Sequence, residues 1–125
     1  VMLDYLEPQL KERLAEAVTS ESFTGLVQQK LYQAIPSGAF SVEDIAAALG
    51  ISSRTLQRNL TAEGTKFNQE LQNVQKILAF GYLKNPDMTT DDVTYLLGYS
   101  EVSSFSRAFK KWTDQTISEY REQVL

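Results

Sequence analysis

The chain predicts an all-α fold: two helix-turn-helix units joined by a long central helix, with a helical extension at the N-terminal side. Three observations lead there. A stretch of about 17 residues recurs 48 positions later, as "DIAAALGISSRTLQRNL" from Asp44 and "DVTYLLGYSEVSSFSRAF" from Asp92. Between the copies, Phe67, Leu71, Val74, Leu78 and Tyr82 keep the three-to-four spacing of a helix face. No segment alternates convincingly as a strand would.

The elements follow in order. Leu3, Leu6, Leu10 and Leu14 share one face of a first helix, opposite Glu7, Lys11, Glu12 and Arg13. That stripe reads more readily as packing against the domain than as a dimer seam, because barely two heptads make a poor coiled coil. A second helix starts near Ser20 or Ser22, carries Phe23, Leu26, Val27, Leu31 and Ile35, and ends at Pro36-Ser37-Gly38. These residues, 1–38, are assigned to an extension or linker, and residues 39–125 to a separate domain. Within that domain the first unit spans about 42–63, the central helix about 66–84, the second unit about 90–112 and a last helix about 117–124. Ser41 with Asp44, and Thr116 with Glu119, have capping-box spacing. Asn85-Pro86-Asp87 stops the central helix. Eighteen or so residues of helix make a rod of about 27 Å, able to hold two helices roughly one duplex turn apart. Gly81 inside this helix costs about 1 kcal/mol against Ala, and close approach of a neighbouring helix is the expected reason, with a kink as the alternative.

Each landmark of the repeat has a physical role. Ile45 and Leu49, like Val93 and Leu97, sit four apart on one side of a short helix. Gly50 and Gly98 follow at once, where the chain needs a positive φ to stop the helix. Ser52 and Ser100 come two residues later and are expected to cap the next helix. That helix buries Leu56 and Leu60, or Phe105 and Phe109. Its other face shows Arg54, Gln57 and Arg58 in one copy, and Ser103, Ser106, Arg107 and Lys110 in the other. Such a face suits the DNA major groove, where Arg pairs with guanine and Gln with adenine. One helical hairpin alone would be ordinary packing; repetition with matched Gly, Ser and Arg favours tandem DNA reading.

Composition narrows the alternatives. There is no Cys and no His, so disulfides, thiolate chemistry and the usual neutral-pH base are absent. Together with the lack of a Gly-rich phosphate loop or a nucleophile beside a base, this argues against an enzyme, and no catalytic residue or cofactor is expected. Asp91-Asp92 is explained as a helix-start pair rather than a metal site. The aromatic set Phe105, Phe109, Trp112 and Tyr120 is assigned to a core rather than to base stacking. No apolar run would span a membrane, no signal peptide opens the chain, and a cytoplasmic protein is expected. Val1 at the start reads as a piece of a longer protein.

Net charge is −4, divided evenly between residues 1–38 and 39–125, which is unlike a typical nucleic-acid binder. An interaction module docking a protein partner without binding DNA would fit that charge. The distribution answers the objection. Arg54 and Arg58 are the only charges between Ile51 and Thr61, and Arg107, Lys110 and Lys111 outweigh Glu101.

The segment "GYSEVSSFSRAFKKWTDQTISEYR" resembles the second-unit signature of the AraC/XylS family of bacterial transcription regulators, in their C-terminal DNA-binding domain. "SSRTLQRNLTAEGT", and Ile35-Pro36-Ser37-Gly38 before it, resemble one branch of that family. The resemblance covers about residues 39–121. It implies double-stranded DNA as partner and contacts from Arg54, Gln57 and Arg58, then from Val102, Ser103, Ser106 and Arg107; Ser52, Ser53, Thr55, Ser100, Ser104, Lys110 and Lys111 complete the candidate contact set. It also implies a surface touching RNA polymerase, and a further N-terminal domain that binds a small effector and dimerises, this piece being monomeric. Three departures stand out: Asp114 where the family has Gly, Ile117 where it has Pro, and Gln75 where it has Arg. The last would remove a structural salt bridge. The small Val102, Ser103 and Ser104 leave the first unit to supply more of the specificity.

Overall fold

The computed structural model describes residues 22–125, and among them all regular structure is helical. Seven helices run α1 (Phe23–Ala34), α2 (Val42–Ala48), α3 (Ser53–Ala62), α4 (Phe67–Leu83), α5 (Thr90–Leu96), α6 (Val102–Thr113) and α7 (Ile117–Val124). The Leu3–Leu14 stripe lies outside the described residues. Among the described residues no helix is long and apolar enough to cross a membrane.

Two hydrophobic cores form. The first gathers Val27, Leu31 and Ile35 from α1 and its C-cap, Ile45 and Ala46 from α2, Leu56 and Leu60 from α3, and Phe67 and Val74 from α4. The second gathers Ala79 and Leu83 from α4, Val93 and Leu97 from the α5 hairpin arm, Phe105 and Phe109 from α6, and Ile117 from α7. Leu78 packs against both. The Phe67–Tyr82 stripe is thus only part of what α4 buries. Glu70, Gln75, Ala79 and Leu83 are buried as well, because α4 serves cores on different sides along its length.

The aromatic residues knit the second core. Phe109 lies edge-on to Phe80, Phe105 and Tyr120, with ring centroids 5.9, 6.0 and 5.5 Å apart, and Tyr99 stacks on Phe105 at 5.8 Å. These are favourable arrangements for aromatic quadrupoles. Trp112 and Tyr120 pack on the same core, so the aromatic set is structural.

Helix α1 belongs physically with the first unit, although the sequence reading placed residues up to 38 in an extension. Its apolar side is inside the first core, and its N-terminus is capped from a distance. Ser22 Oγ accepts from Gly25 N, while the Glu63 carboxylate at the end of α3 accepts from Phe23 N at 2.9 Å and Thr24 N at 2.8 Å. The Thr24 hydroxyl also donates to Glu63. A carboxylate on free N–H groups at the positive end of a helix is favourable. Buried Glu70 on α4 accepts from Gln28 Nε2 at 2.6 Å and from the Thr65 hydroxyl, joining α4 to α1 and to the turn after α3.

Gly81 does not match its expected role. A Cβ there would meet nothing within 4 Å, and the residue is exposed. Close approach by a neighbouring helix is therefore not the reason for this glycine. Gly81→Ala is expected to raise stability by about 1 kcal/mol, through helix propensity alone; a denaturant midpoint that stays put or falls would contradict this.

The Glu63 cap makes a pH prediction. Hydrogen bonds from the Thr24 side chain and backbone, then the Phe23 backbone, hold its carboxyl below the ordinary value. A carboxyl depressed in the folded state stabilises fully above its unfolded pKa of about 4.3, and that contribution is lost as pH falls through the folded value. Glu63→Gln should therefore destabilise near neutrality, and the gap from the native protein should shrink steadily in melts taken below about pH 4. A gap independent of pH would show that the charge of the cap contributes nothing.

Candidate nucleic-acid interface

The two units are built alike up to their turns. Capping boxes start both first helices: Ser41 with Asp44 on α2, and Thr89 with Asp92 on α5. Both helices end in the same double closure. Gly50 N donates to Ala47 O and Ile51 N to Ala46 O; Gly98 N donates to Tyr95 O and Tyr99 N to Thr94 O. Gly50 and Gly98 have φ of 73° and 90°, the left-handed conformation this closure requires. At the position matching Ala46 stands Thr94, fully buried, its hydroxyl satisfied by Thr90 O at 2.7 Å.

The units diverge after the glycine. Ser52 caps α3, accepting from Thr55 N at 3.1 Å. Ser100 does not cap α6. The extra residue in the second turn shifts that position to Glu101, which makes no side-chain cap. The helices then run in register, so that Arg54, Gln57 and Arg58 correspond to Ser103, Ser106 and Arg107, at a shift of 49.

Both second helices bury their apolar stripe completely, through Leu56 and Leu60 in α3 and Phe105 and Phe109 in α6. On the outer face Ser52, Arg54, Gln57 and Arg58 are exposed, with Ser53 and Thr55 half-buried. In the second unit Ser100, Ser103, Arg107, Lys110 and Lys111 are exposed, and Val102, Ser104 and Ser106 half-buried. Helix α3 carries two cations and no acid, and α6 carries three cations and no acid. Helices α2 and α5 each hold two acids in the first turn and no base. The acidic total thus conceals units polarised from one helix to the next.

Several second-unit groups already have partners. The Ser103 hydroxyl donates to the Glu101 carboxylate at 3.3 Å, and Lys110 Nζ donates to Asp114 O at 3.0 Å at the end of its own helix. In the first unit Ser52 Oγ donates to Thr55 Oγ1, which leaves Arg54, Gln57 and Arg58 as its long outward side chains.

Two supports of this face have no trace in the sequence. Gln75 is buried and donates to Leu97 O at 2.8 Å, while the Tyr99 hydroxyl donates to Gln75 Oε1 at 3.5 Å. A neutral amide thereby fastens the second unit's turn to α4, in the place where the family's Arg would stand. Arg121 donates to Met88 O at 2.6 Å and Asn85 O at 3.0 Å, pinning the loop that leads into α5. Asp114 adopts φ 64°, the one positive φ outside glycine among the described residues.

The helix-turn-helix domain family model matches residues 45–123. An uncharacterised helix-turn-helix-type transcriptional regulator of Mycobacterium tuberculosis is 42% identical over 98 residues, which is 78% of this chain and 28% of that protein. The ornithine utilization regulator of Pseudomonas aeruginosa is 36% identical over 116 residues, 93% of this chain and 34% of the relative. The chain belongs to the AraC family of transcription regulators. It carries that family's sequence-specific DNA-binding domain, and it spans about a third of the length of such relatives. In fold it is similar to a DNA-binding transcriptional dual regulator from Escherichia coli K-12, with a TM-score of 0.69, 23% identity, and coverage of 78% of this chain and 91% of that one. The family comprises regulators rather than enzymes.

Asp114 offers a test of the AraC-family departures. Because its φ is one that an L side chain adopts at a cost, Asp114→Gly should raise the melting temperature, by the equivalent of about 1 kcal/mol. Equal or lower stability would mean that local hydrogen bonding already offsets the strain.

Proposed function

We propose that this domain reads an asymmetric DNA site by placing α3 and α6 in successive major-groove segments, with most of the base discrimination in the first unit. One observation carries the proposal: both second helices present exposed cations and no acid opposite a fully buried apolar stripe. Arg54, Gln57 and Arg58 supply long donors able to reach base edges. Arg107, Lys110 and Lys111 serve mainly phosphates, because the small Val102, Ser103 and Ser104 offer little reach and Ser103 is already paired with Glu101. Ser52, Ser53, Thr55, Ser100 and Ser106 complete the proposed contact set around the turns and helix starts. The same reading gives the domain a surface facing RNA polymerase and assigns effector binding and dimerisation to a further domain. Double-stranded DNA in the cytoplasm is the expected partner. A DNA-independent interaction module would leave the polarised helices without a purpose.

Selection from a random duplex library, followed by anisotropy across a salt series, tests this. Two enriched blocks about 10 base pairs apart and a steep negative salt slope are expected. Arg58→Ala should cost about 1–3 kcal/mol and relax preference within one block only. Arg107→Ala should weaken all sites alike and reduce the salt slope by about one. Equal loss of sequence preference in both variants would refute the division between the units.

A further inference from the structure

The matched glycines Gly50 and Gly98 occupy equivalent turns, yet their surroundings differ. A Cβ at Gly50 would meet nothing within 4 Å. At Gly98 it would lie 3.2 Å from Phe40 Cε2, 2.6 Å from Cε1 and closer still to Cζ. The tip of the Phe40 ring therefore fills the space that a side chain on Gly98 would take. Phe40 stands between α1 and α2 and packs on the first core, so this contact runs from the first unit's core to the backbone of the second unit's turn. The residues on either side of Gly98 are held as well: Leu97 O accepts from Gln75 Nε2, and Tyr99 OH donates to Gln75 Oε1. Three consecutive residues of one turn are thus fastened to elements outside their own hairpin.

We propose that Phe40 is a positioning residue for DNA recognition. By seating the Gly98 turn, it fixes the second helix-turn-helix against the first and so sets the spacing between blocks that the domain accepts. This role rests on the two-block reading above. A helix shared by two cores can still bend or twist, and a packed ring at a second point removes that freedom. The contact needs both partners: an aromatic ring long enough to cross, and a residue without Cβ to receive it. Neither side chain need touch DNA.

Phe40→Leu is the informative variant, since it keeps apolar bulk on the first core but lacks the ring tip that reaches Gly98. The chain has no Cys, so spin labels at Ala62→Cys on α3 and Tyr95→Cys on α5 report the distance between units without touching the proposed contact residues. Binding would be measured on duplexes carrying both selected blocks with the spacer lengthened or shortened by one and two base pairs, and on duplexes with one block. Phe40→Leu is expected to broaden the label distance distribution. It should also lower the preference for the best spacing over its neighbours at least fivefold, with single-block affinity unchanged. A folded Phe40→Leu protein with native label distances and a native spacing profile overturns the proposal. A native profile flat across all spacings overturns the two-block reading and with it the role in spacing, while a label distance that broadens in the same variant separates that failure from failure of the clamp itself.

Discussion

The central helix α4 is the constraint on which the rest depends, because neither core closes without it. Phe67 and Val74 complete the first core and Ala79 and Leu83 the second. Each residue advances a helix by about 1.5 Å and turns it by about 100°. One inserted residue between Val74 and Ala79 would rotate the second core's anchor away from α5 and α6. The relative placement of the two outward helix faces is thus encoded in the length and phase of one element. Its buried polar groups reinforce this: Glu70 ties it to α1 and the turn after α3, and Gln75 ties it to the turn before α6.

Electrostatics follow from the same arrangement. Acids at the starts of α2 and α5 satisfy helix N-termini, and in doing so they leave the cations of α3 and α6 as the charges of the outward face. Net charge alone would argue against a polyanion partner, yet a potential is felt locally and is screened beyond about 8–10 Å in physiological salt. On the proposed reading an acidic body with a cationic face should bind non-specific DNA weakly, which raises the share of affinity that must come from the right bases.

Much of this was legible in the sequence, because its signals are local. The repeat, the turn glycines, the boxes at Ser41 and Thr116, and the buried pairs Leu56–Leu60 and Phe105–Phe109 depend on spacings of two to four residues. What escaped depends on distance along the chain. Glu63 capping a helix some 40 residues earlier, Glu70 meeting Gln28, Gln75 meeting Leu97 and Phe40 filling the space at Gly98 have no periodic trace. Glu70 and Gln75 were illegible for a further reason: a polar residue is read as exposed unless its partner is known. The failure at Ser100 is different in kind. Its identity matched Ser52, but one extra residue in the turn moved the cap position to Glu101, and geometry outweighed identity. The candidate contact residues come from sequence alone; Arg54, Gln57, Arg58, Ser103, Arg107 and Lys110 are exposed and Ser106 is half-buried, whereas the prior engagement of Ser103 and Lys110 has no sequence signal.

The two units share a plan but differ in what holds them. The first is closed locally: Ser52 caps α3, its turn glycine is uncrowded, and α1 covers it with Glu63 as a clasp. The second has lost the serine cap, a loss that typically costs about 1 kcal/mol. Its turn is secured from outside by Gln75 and Phe40, and its entry loop by Arg121. A buried hydrogen bond contributes about 1 kcal/mol net, so the tertiary contact at Leu97 is of the right size to replace the missing cap. The consequence is directional. The first unit's turn is held by its own elements, whereas the turn of the second is packed in part by Phe40 of the first. An arrangement of that kind suits a reader whose first helix discriminates bases and whose second helix is delivered to the neighbouring groove segment at a set distance.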